Sequence, residues 1–215
     1  MKLVLHNYWR SSASHRVRIA LGLKRLPYEY VAVNIARNDQ FAESYRAHNP
    51  LAQVPALEIT EDDGERRAIA QSLPILEYLE ERWPEVPILP ADPYLRARAR
   101  GLAEIVNSGI QPHQNLTTTN KVKALGGDPA VWVKGFIADG LAAFARSASD
   151  TAGAFCVGDF PTIADCCLIP QLASARRFQV EIGHLTQLLE IETRCLALAA
   201  FEAAAPDQQP DAVRT

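Results

Sequence analysis

The sequence predicts two domains of different class: a small α/β domain over residues 1–83 and an all-α domain over residues 93–215, joined by a linker at 84–92. Three observations carry this reading. The first eighty-odd residues alternate short β-branched or aromatic runs with helical patterns. Residues 84–93 (Pro-Glu-Val-Pro-Ile-Leu-Pro-Ala-Asp-Pro) are too rich in proline to sustain helix or sheet. Beyond them only helical periodicity is found.

In the first domain, residues 3–7 read as a buried strand and residues 14–24 as a helix. Residues 28–33 (Tyr-Glu-Tyr-Val-Ala-Val) read as a second strand. Short connections make this a βαβ unit, hence a parallel pair with a right-handed crossover. Residues 39–48 fit an irregular helix that ends before Asn49-Pro50. Two short apolar runs around Asp63-Gly64 then signal a β-hairpin. Ser72 is placed to cap a following helix, with Pro74 in its first turn and Ile75, Leu76 and Leu79 on one face. The order βαβ, hairpin, helix is that of the thioredoxin fold, in which Pro55 stands at the position of the cis proline.

The helical patterns of the second domain run over 93–117, 129–147, 162–177 and about 185–203, with Gly126-Gly127-Asp128-Pro129 as a break. Thr162-Ile163-Ala164-Asp165 is a capping-box pattern with Asp in the usual Glu place. The last ten residues, rich in Pro, Asp and Gln, read as frayed.

Bulk properties narrow the function classes. With 48% hydrophobic residues and a net charge of -3, the chain reads as a soluble globular protein with no bias toward nucleic acid or an anionic membrane. No apolar run reaches the roughly 20 residues that span a bilayer, and the N-terminus lacks the apolar core of a secretory signal. All four cysteines (Cys156, Cys166, Cys167, Cys195) lie in the last third among apolar neighbours, as reduced buried thiols do. A cytoplasmic protein is expected. The five histidines show no metal-ligand spacing along the chain, so no metal is expected, and there is no phosphate-binding glycine loop.

The chemically suggestive stretch is Arg10-Ser11-Ser12-Ala13-Ser14-His15-Arg16, where the first strand turns into the first helix. Serine is a favoured N-cap, and a helix N-terminus attracts anions. One cap needs only one hydroxyl, whereas three serines stand here. Thiol–disulfide chemistry would need a cysteine at this helix end, and positions 11–14 hold none. What remains is a set of hydroxyls suited to stabilising a thiolate carried by another molecule.

The run Arg-Ser-Ser-x-Ser-x-Arg-Val-Arg-Ile-Ala-Leu resembles the N-terminal signature of zeta-class glutathione transferases, which include maleylacetoacetate isomerases. The resemblance continues through Asn49-Pro50, Gln53-Val54-Pro55, Gln71-Ser72, Ile110-Gln111-Pro112, Gln114-Asn115-Leu116, Cys156-Val157-Gly158-Asp159, Pro170-Gln171 and Arg177-Phe178. It departs at Ala13, where the family usually has cysteine, and at His15, where many members have tryptophan.

The resemblance implies a glutathione transferase fold, a homodimer, and glutathione as cofactor. Ser11 or Ser12 would hydrogen-bond the glutathione sulfur; the resemblance does not separate them. Ala13, Ser14, His15 and Arg16 complete that turn. Val54, before Pro55, would pair its backbone with the cysteinyl part of the tripeptide. Gln71 and Ser72 would hold the γ-glutamyl carboxylate, and Gln40 the glycyl end. Gln111 and Asn115, four apart and expected on one helix face, would also contact glutathione, with Leu116 and Thr117 following. The implied substrate is an anionic diketo acid, for which Arg10, Arg176 and Arg177 are the cationic anchors, because a guanidinium grips a carboxylate through two donors.

Conversion of maleylacetoacetate to fumarylacetoacetate is the implied reaction. Its sibling is maleylpyruvate isomerisation, and some of the bacterial enzymes for it share the histidine at position 15 and the Ser-Ala-Arg-Arg-Phe run at 174–178. A general conjugating transferase or dehalogenase, and a non-catalytic assembly module, are the remaining alternatives. The last of these would be expected to lose the serine turn.

Overall fold

The structure, a computed structural model, describes residues 1–213. Two compact units are present: residues 1–87 together with residues 198–213, and residues 88–197. This differs from the expected split, which assigned everything after residue 93 to the helical domain.

In the first unit, β1 (Lys2–Asn7), α1 (Ser12–Leu23), β2 (Glu29–Ala32), α2 (Glu43–Arg46), β3 (Ala56–Thr60), β4 (Arg66–Ala70) and α3 (Ser72–Arg82) follow in order. The strands form one sheet in the order β2-β1-β3-β4. β1 runs parallel to β2, with Val4 opposite Glu29, and antiparallel to β3, with Leu5 opposite Leu57. β3 and β4 are the expected hairpin. Its turn closes where the Gly64 N–H donates to the Glu61 carbonyl at 3.0 Å, with Gly64 at φ 88°, a conformation glycine adopts without Cβ strain. The central strands and the inner helix faces meet in a core that includes Leu5, Ile19, Leu21, Leu57, Ile59, Ile75, Leu76 and Leu79, all fully buried. The irregular helix expected at 39–48 resolves into short 3₁₀ turns at Ile35–Arg37 and Asp39–Phe41 followed by the single turn of α2.

The second unit holds α4 (Pro93–Glu104), α5 (Leu116–Ala124), α6 (Pro129–Ala148), α7 (Ile163–Arg177) and α8 (Thr186–Leu196). The Thr162 box forms as expected: Thr162 Oγ1 accepts from the Ala164 N–H, while the Asp165 carboxylate accepts from the Thr162 N–H at 2.7 Å. The helix expected over 93–117 does not run through. It passes into a π-helical turn at Ile105–Ile110 and a 3₁₀ turn at Gln111–Gln114, and restarts as α5 after Asn115, which is extended. Pro112 is the local cause, since it lacks the N–H that an α-helix would use and its ring crowds the preceding turn.

The pattern at 185–203 also divides, because Leu198 is extended between α8 and α9 (Ala199–Ala204). α9 lies against α1 so closely that a Cβ on Gly22 would stand 3.2 Å from the Cβ of Ala200. The C-terminal segment, expected to fray, is tied down through residue 211. The Asp211 carboxylate accepts from the Trp9 N–H at 3.2 Å and from the Tyr30 hydroxyl, and Gln209 Nε2 donates to the Ala203 and Ala205 carbonyls. Positions 214 and 215, part of the same expectation, lie outside the described residues.

Arg18 explains why the tail returns. Its guanidinium, 2% exposed, donates to Asn7 Oδ1 (2.9 Å) and to the carbonyls of Trp9 (3.0 Å), Tyr8 (3.4 Å) and Ala204 (3.0 Å). One side chain thus joins the end of β1, the turn into α1, and the C-terminus of α9. Burial pulls its pKa down to about 10, which still leaves it charged at neutral pH. Arg18→Ala orphans these acceptors and is expected to lower the unfolding free energy by about 3 kcal/mol or more in urea titrations. A loss below about 1 kcal/mol would show that α9 and the tail are held by other contacts.

Candidate functional site

The first unit presents its polar chemistry at the ends of two helices. After β1 the chain turns at Tyr8, whose carbonyl accepts from the Ser11 N–H at 3.0 Å. Ser11 is the N-cap of α1, and its Oγ accepts from the Ser14 N–H at 3.2 Å. Its own hydroxyl hydrogen is left to donate outward. Ser12 opens the helix, half-buried, and its hydroxyl has no hydrogen-bond partner among the described residues. Ala13 is half-buried and Ser14 buried, the latter accepting from the Tyr8 N–H at 3.4 Å. No acidic side chain stands in the first turn of α1, so the positive end of its dipole is uncompensated.

α3 supplies a second such end. Its N-cap is Gln71, held at φ 72°, and its first turn also lacks acid. Ser72 is therefore the first helical residue rather than the expected cap. Its Oγ instead accepts from Arg16 Nη1 at 3.0 Å, and that bond between buried side chains ties α1 to the start of α3. Gln71 Nε2 donates to Gln53 Oε1 at 3.3 Å, joining the same end to the segment before Pro55. The Val54-Pro55 bond is cis, as the fold reading placed it. The Gln53 carbonyl accepts from the Tyr45 hydroxyl (2.5 Å) and from Asn49 Nδ2 (2.7 Å), so the approach to the cis bond is held from two sides. Gln40 is buried, and its Oε1 finds no hydrogen-bond partner among the described residues. Arg10 is exposed and lies over the Trp9 ring at 5.5 Å.

His15, which the resemblance counts in the serine turn, is buried there. It is 4% exposed, its Nε2 has no hydrogen-bond partner among the described residues, and burial, with the Arg18 charge adding to it, pulls its pKa down to about 3. It is a neutral ring at physiological pH.

In the second unit, Gln111 Nε2 donates to Asn115 Oδ1 at 2.7 Å. The pair meets as expected, though across a 3₁₀ turn instead of along an α-helix face. Leu116 and Thr117 begin α5 as exposed residues. Gln114 Nε2 donates to Gln171 Oε1 at 2.9 Å, and the His113 ring stacks on Phe136 at 3.5 Å. The two arginines near residue 177 differ. Arg176 makes a two-pronged ion pair with Glu192, each N–H···O contact 2.5 Å, so its forked donors are already engaged. This argues against Arg176 as a substrate anchor. Arg177 lies over the Phe178 ring at 4.7 Å. The four cysteines form no disulfide and are buried, and burial pushes the Cys156, Cys166 and Cys195 thiols up, away from the reactive thiolate form.

Sequence reasoning missed the supports: Tyr45, Asn49 and the Gln53 side chain. The polar residues clustered just before Val54-Pro55 were the available signal, because carbonyls outside regular structure are often satisfied by nearby side chains.

This arrangement of helix ends and cis proline is that of the N-terminal half of a glutathione transferase, and a family model described as glutathione S-transferase, N-terminal domain, matches residues 10–82. The chain is 44% identical over 212 residues to maleylacetoacetate isomerase of Rattus norvegicus, covering 98% of this chain and 95% of that one. It is 40% identical over 213 residues to maleylpyruvate isomerase of a Ralstonia species, covering 96% and 98%. A crystal structure of maleylacetoacetate isomerase from Anaeromyxobacter dehalogenans 2CP-1, with glutathione in its active site, superimposes with a TM-score of 0.91 at 48% identity, covering 99% of this chain and 98% of that one. The protein belongs to the zeta-class glutathione transferase family, which includes the maleylacetoacetate isomerases.

The buried His15 generates a pH dependence. Its folded pKa of about 3 lies below the ordinary value of 6.5, so the unfolded chain binds the extra proton between these limits. Stability is then fully present above about pH 6.5 and falls as pH drops, with a slope approaching 1.4 kcal/mol per pH unit from this group. Urea unfolding between pH 7 and 4 is expected to show that His15→Phe removes about this slope. An unchanged slope would mean His15 titrates normally in the folded protein.

Proposed function

We propose that the protein is a glutathione-dependent cis–trans isomerase that converts maleylacetoacetate to fumarylacetoacetate. The observation that carries this reading is the pairing of two acid-free helix N-termini in one unit, one bearing the serine turn, in a chain whose own cysteines are buried. The residues present fit glutathione: its carboxylates match the α3 end and the Arg16–Ser72 bond, and the buried, unpartnered Gln40 Oε1 matches an N–H donor. When bound, glutathione supplies the thiolate that adds to the conjugated cis double bond, lets it rotate as a single bond, and leaves.

This chain's residues bind and bias that chemistry. Ser11 is the proposed donor to the sulfur. Its Oγ already accepts the Ser14 N–H, which polarises its own hydroxyl hydrogen toward a second acceptor, and the α1 dipole favours negative charge in front of it. The Ser12 hydroxyl, without a protein partner, is the second donor. Val54, directly before the cis bond, offers its backbone to the tripeptide, and Gln71 and Ser72 hold the γ-glutamyl end. Gln111, Asn115, Leu116 and Thr117 remain the second unit's proposed contacts. Arg10 and Arg177 are the proposed anchors for the diketo acid.

Maleylpyruvate is the second reading, favoured by the 40% identity to the Ralstonia enzyme. Higher identity to a maleylacetoacetate isomerase places it behind the first. A cytoplasmic homodimer completes the proposal, supported by four buried cysteines that form no disulfide and by exposed apolar side chains such as Leu125 and Val131.

Steady-state rates with both cis diketo acids, with and without glutathione, test the reading. Strict dependence on glutathione is expected. Ser11→Ala should lower turnover at least about tenfold with glutathione affinity nearly unchanged, since an oxyanion-type donor acts on the developing charge. Its folding cost should be about 1 kcal/mol, that of a lost cap. Isomerisation without glutathione, or full turnover in both Ser11→Ala and Ser12→Ala, would overturn it.

A further inference from the structure

His6 on β1, Glu58 on β3 and His48 just after α2 converge at a point no part of the proposed isomerisation uses. Val4 pairs opposite Glu58, and His6 lies two residues beyond Val4, so His6 and Glu58 share one face of the sheet. His48 reaches that face from the short segment before Asn49-Pro50. One ligand-type atom from each of the three lies within 4.8 Å of those of the other two. Both His48 Nε2 (2.8 Å) and His6 Nε2 (3.4 Å) are directed at the same atom, Glu58 Oε2, and the two imidazole centroids are 4.3 Å apart.

The hydrogen-bond geometry of His48 shows what this convergence is suited to hold. Its Nδ1 lies 3.0 Å from the Ser44 carbonyl oxygen, which can only accept, so Nδ1 carries the hydrogen. Nε2 is then the nitrogen left facing the carboxylate oxygen at 2.8 Å, where a cation between the two would be bound by both. An outer N–H given to a backbone carbonyl, with the other nitrogen facing inward, is also how metal-bound histidines are oriented. A single proton would serve His48 alone, whereas His6 is aimed at the same oxygen and an ion serves all three groups.

We propose that His6, His48 and Glu58 form a binding site for a first-row divalent transition-metal ion, with Zn²⁺ the ion expected. Two imidazole nitrogens and one carboxylate oxygen are a zinc donor set, with water as fourth ligand. Zn–N and Zn–O bonds of about 2.0–2.1 Å in a tetrahedron set ligand atoms roughly 3.3–3.4 Å apart. The His6–Glu58 separation already matches this, and the His48–Glu58 one has to open by roughly 0.5 Å, a small rotation of either side chain. Arg66 Nη1 stands 4.0 Å from Glu58 Oε1, the other carboxylate oxygen, and leaves Oε2 to the site. The side chains are 13%, 24% and 18% exposed, enough for an ion and a water to enter. Chain spacing gave no hint of this site, because β1, β3 and the α2 segment are brought together only by the sheet.

The test uses the full chain, free of any affinity tag and stripped with a chelator. Calorimetric titration with Zn²⁺ is expected to show one site per chain with a dissociation constant in the micromolar range or tighter. Co²⁺ should give visible d–d bands without a thiolate charge-transfer band. Glu58→Gln and the double variant His6→Gln/His48→Gln should each weaken binding more than about tenfold, while His184→Gln leaves it unchanged. Circular dichroism checks that the variants fold. If the double variant does not fold, Glu58→Gln, which keeps both rings, decides alone. No saturable binding, binding that survives these substitutions, or a cobalt spectrum with sulfur-to-metal charge transfer would overturn the proposal.

Discussion

The first unit depends on two guanidinium groups buried along a single helix. Arg16 and Arg18 are among the largest fully buried side chains of the protein. A charge inside a protein persists only when its donors find acceptors. Arg18 finds them at Asn7, Tyr8, Trp9 and Ala204, and Arg16 Nη1 bonds Ser72 Oγ. These bonds fix three things together. The turn that carries the serines is held by its own carbonyls, the start of α3 is bonded to α1, and α9 is drawn back to the unit it left in sequence. Packing alone would tolerate α1 sliding or rotating slightly; directional bonds to separate elements do not.

From that constraint comes the chemical character of the site. Two helix ends without first-turn acids stand as fixed dipoles, and Arg18 and Asp211, charged groups at the α1 turn, are engaged by its backbone. The buried cysteines are held in their unreactive form by desolvation. Ala13, where related sequences usually carry cysteine, is consistent with the proposed function, in which the reacting sulfur is brought in by glutathione.

Much of the first unit was legible because local signals agreed with one another. The Asp63-Gly64 turn, the strand-like run before it and the serine-rich helix start each name a local structure, and Pro55 fell at the fold's cis position. The Thr162 box was equally clear, since cap and partner lie three residues apart. What escaped was non-local. The division of the helix at 93–117 follows from Pro112, yet a proline near a helix end reads the same whether the helix bends or stops. The return of residues 198–213 to the first unit depends on Arg18, Gly22 and Asp211, whose meaning appears only once α1 and α9 are side by side. Ser72 looked like a cap because serine usually is one; the buried Arg16 changed its role. Arg176 and Arg177 are adjacent cations in sequence, and the ion pair of Arg176 with Glu192 appears only in the structure.

The central claim is that the N-terminal end of α1 stabilises a thiolate belonging to bound glutathione. Ultraviolet absorbance of the thiolate, followed while pH is varied on the saturated complex, measures this without reference to any substrate. A cysteine thiol ordinarily titrates near 8.5. The account predicts that the bound thiol titrates below 7, so that thiolate predominates at neutral pH. A bound thiol that still titrates near 8.5 would contradict it, and the serine turn would then be no more than a helix cap.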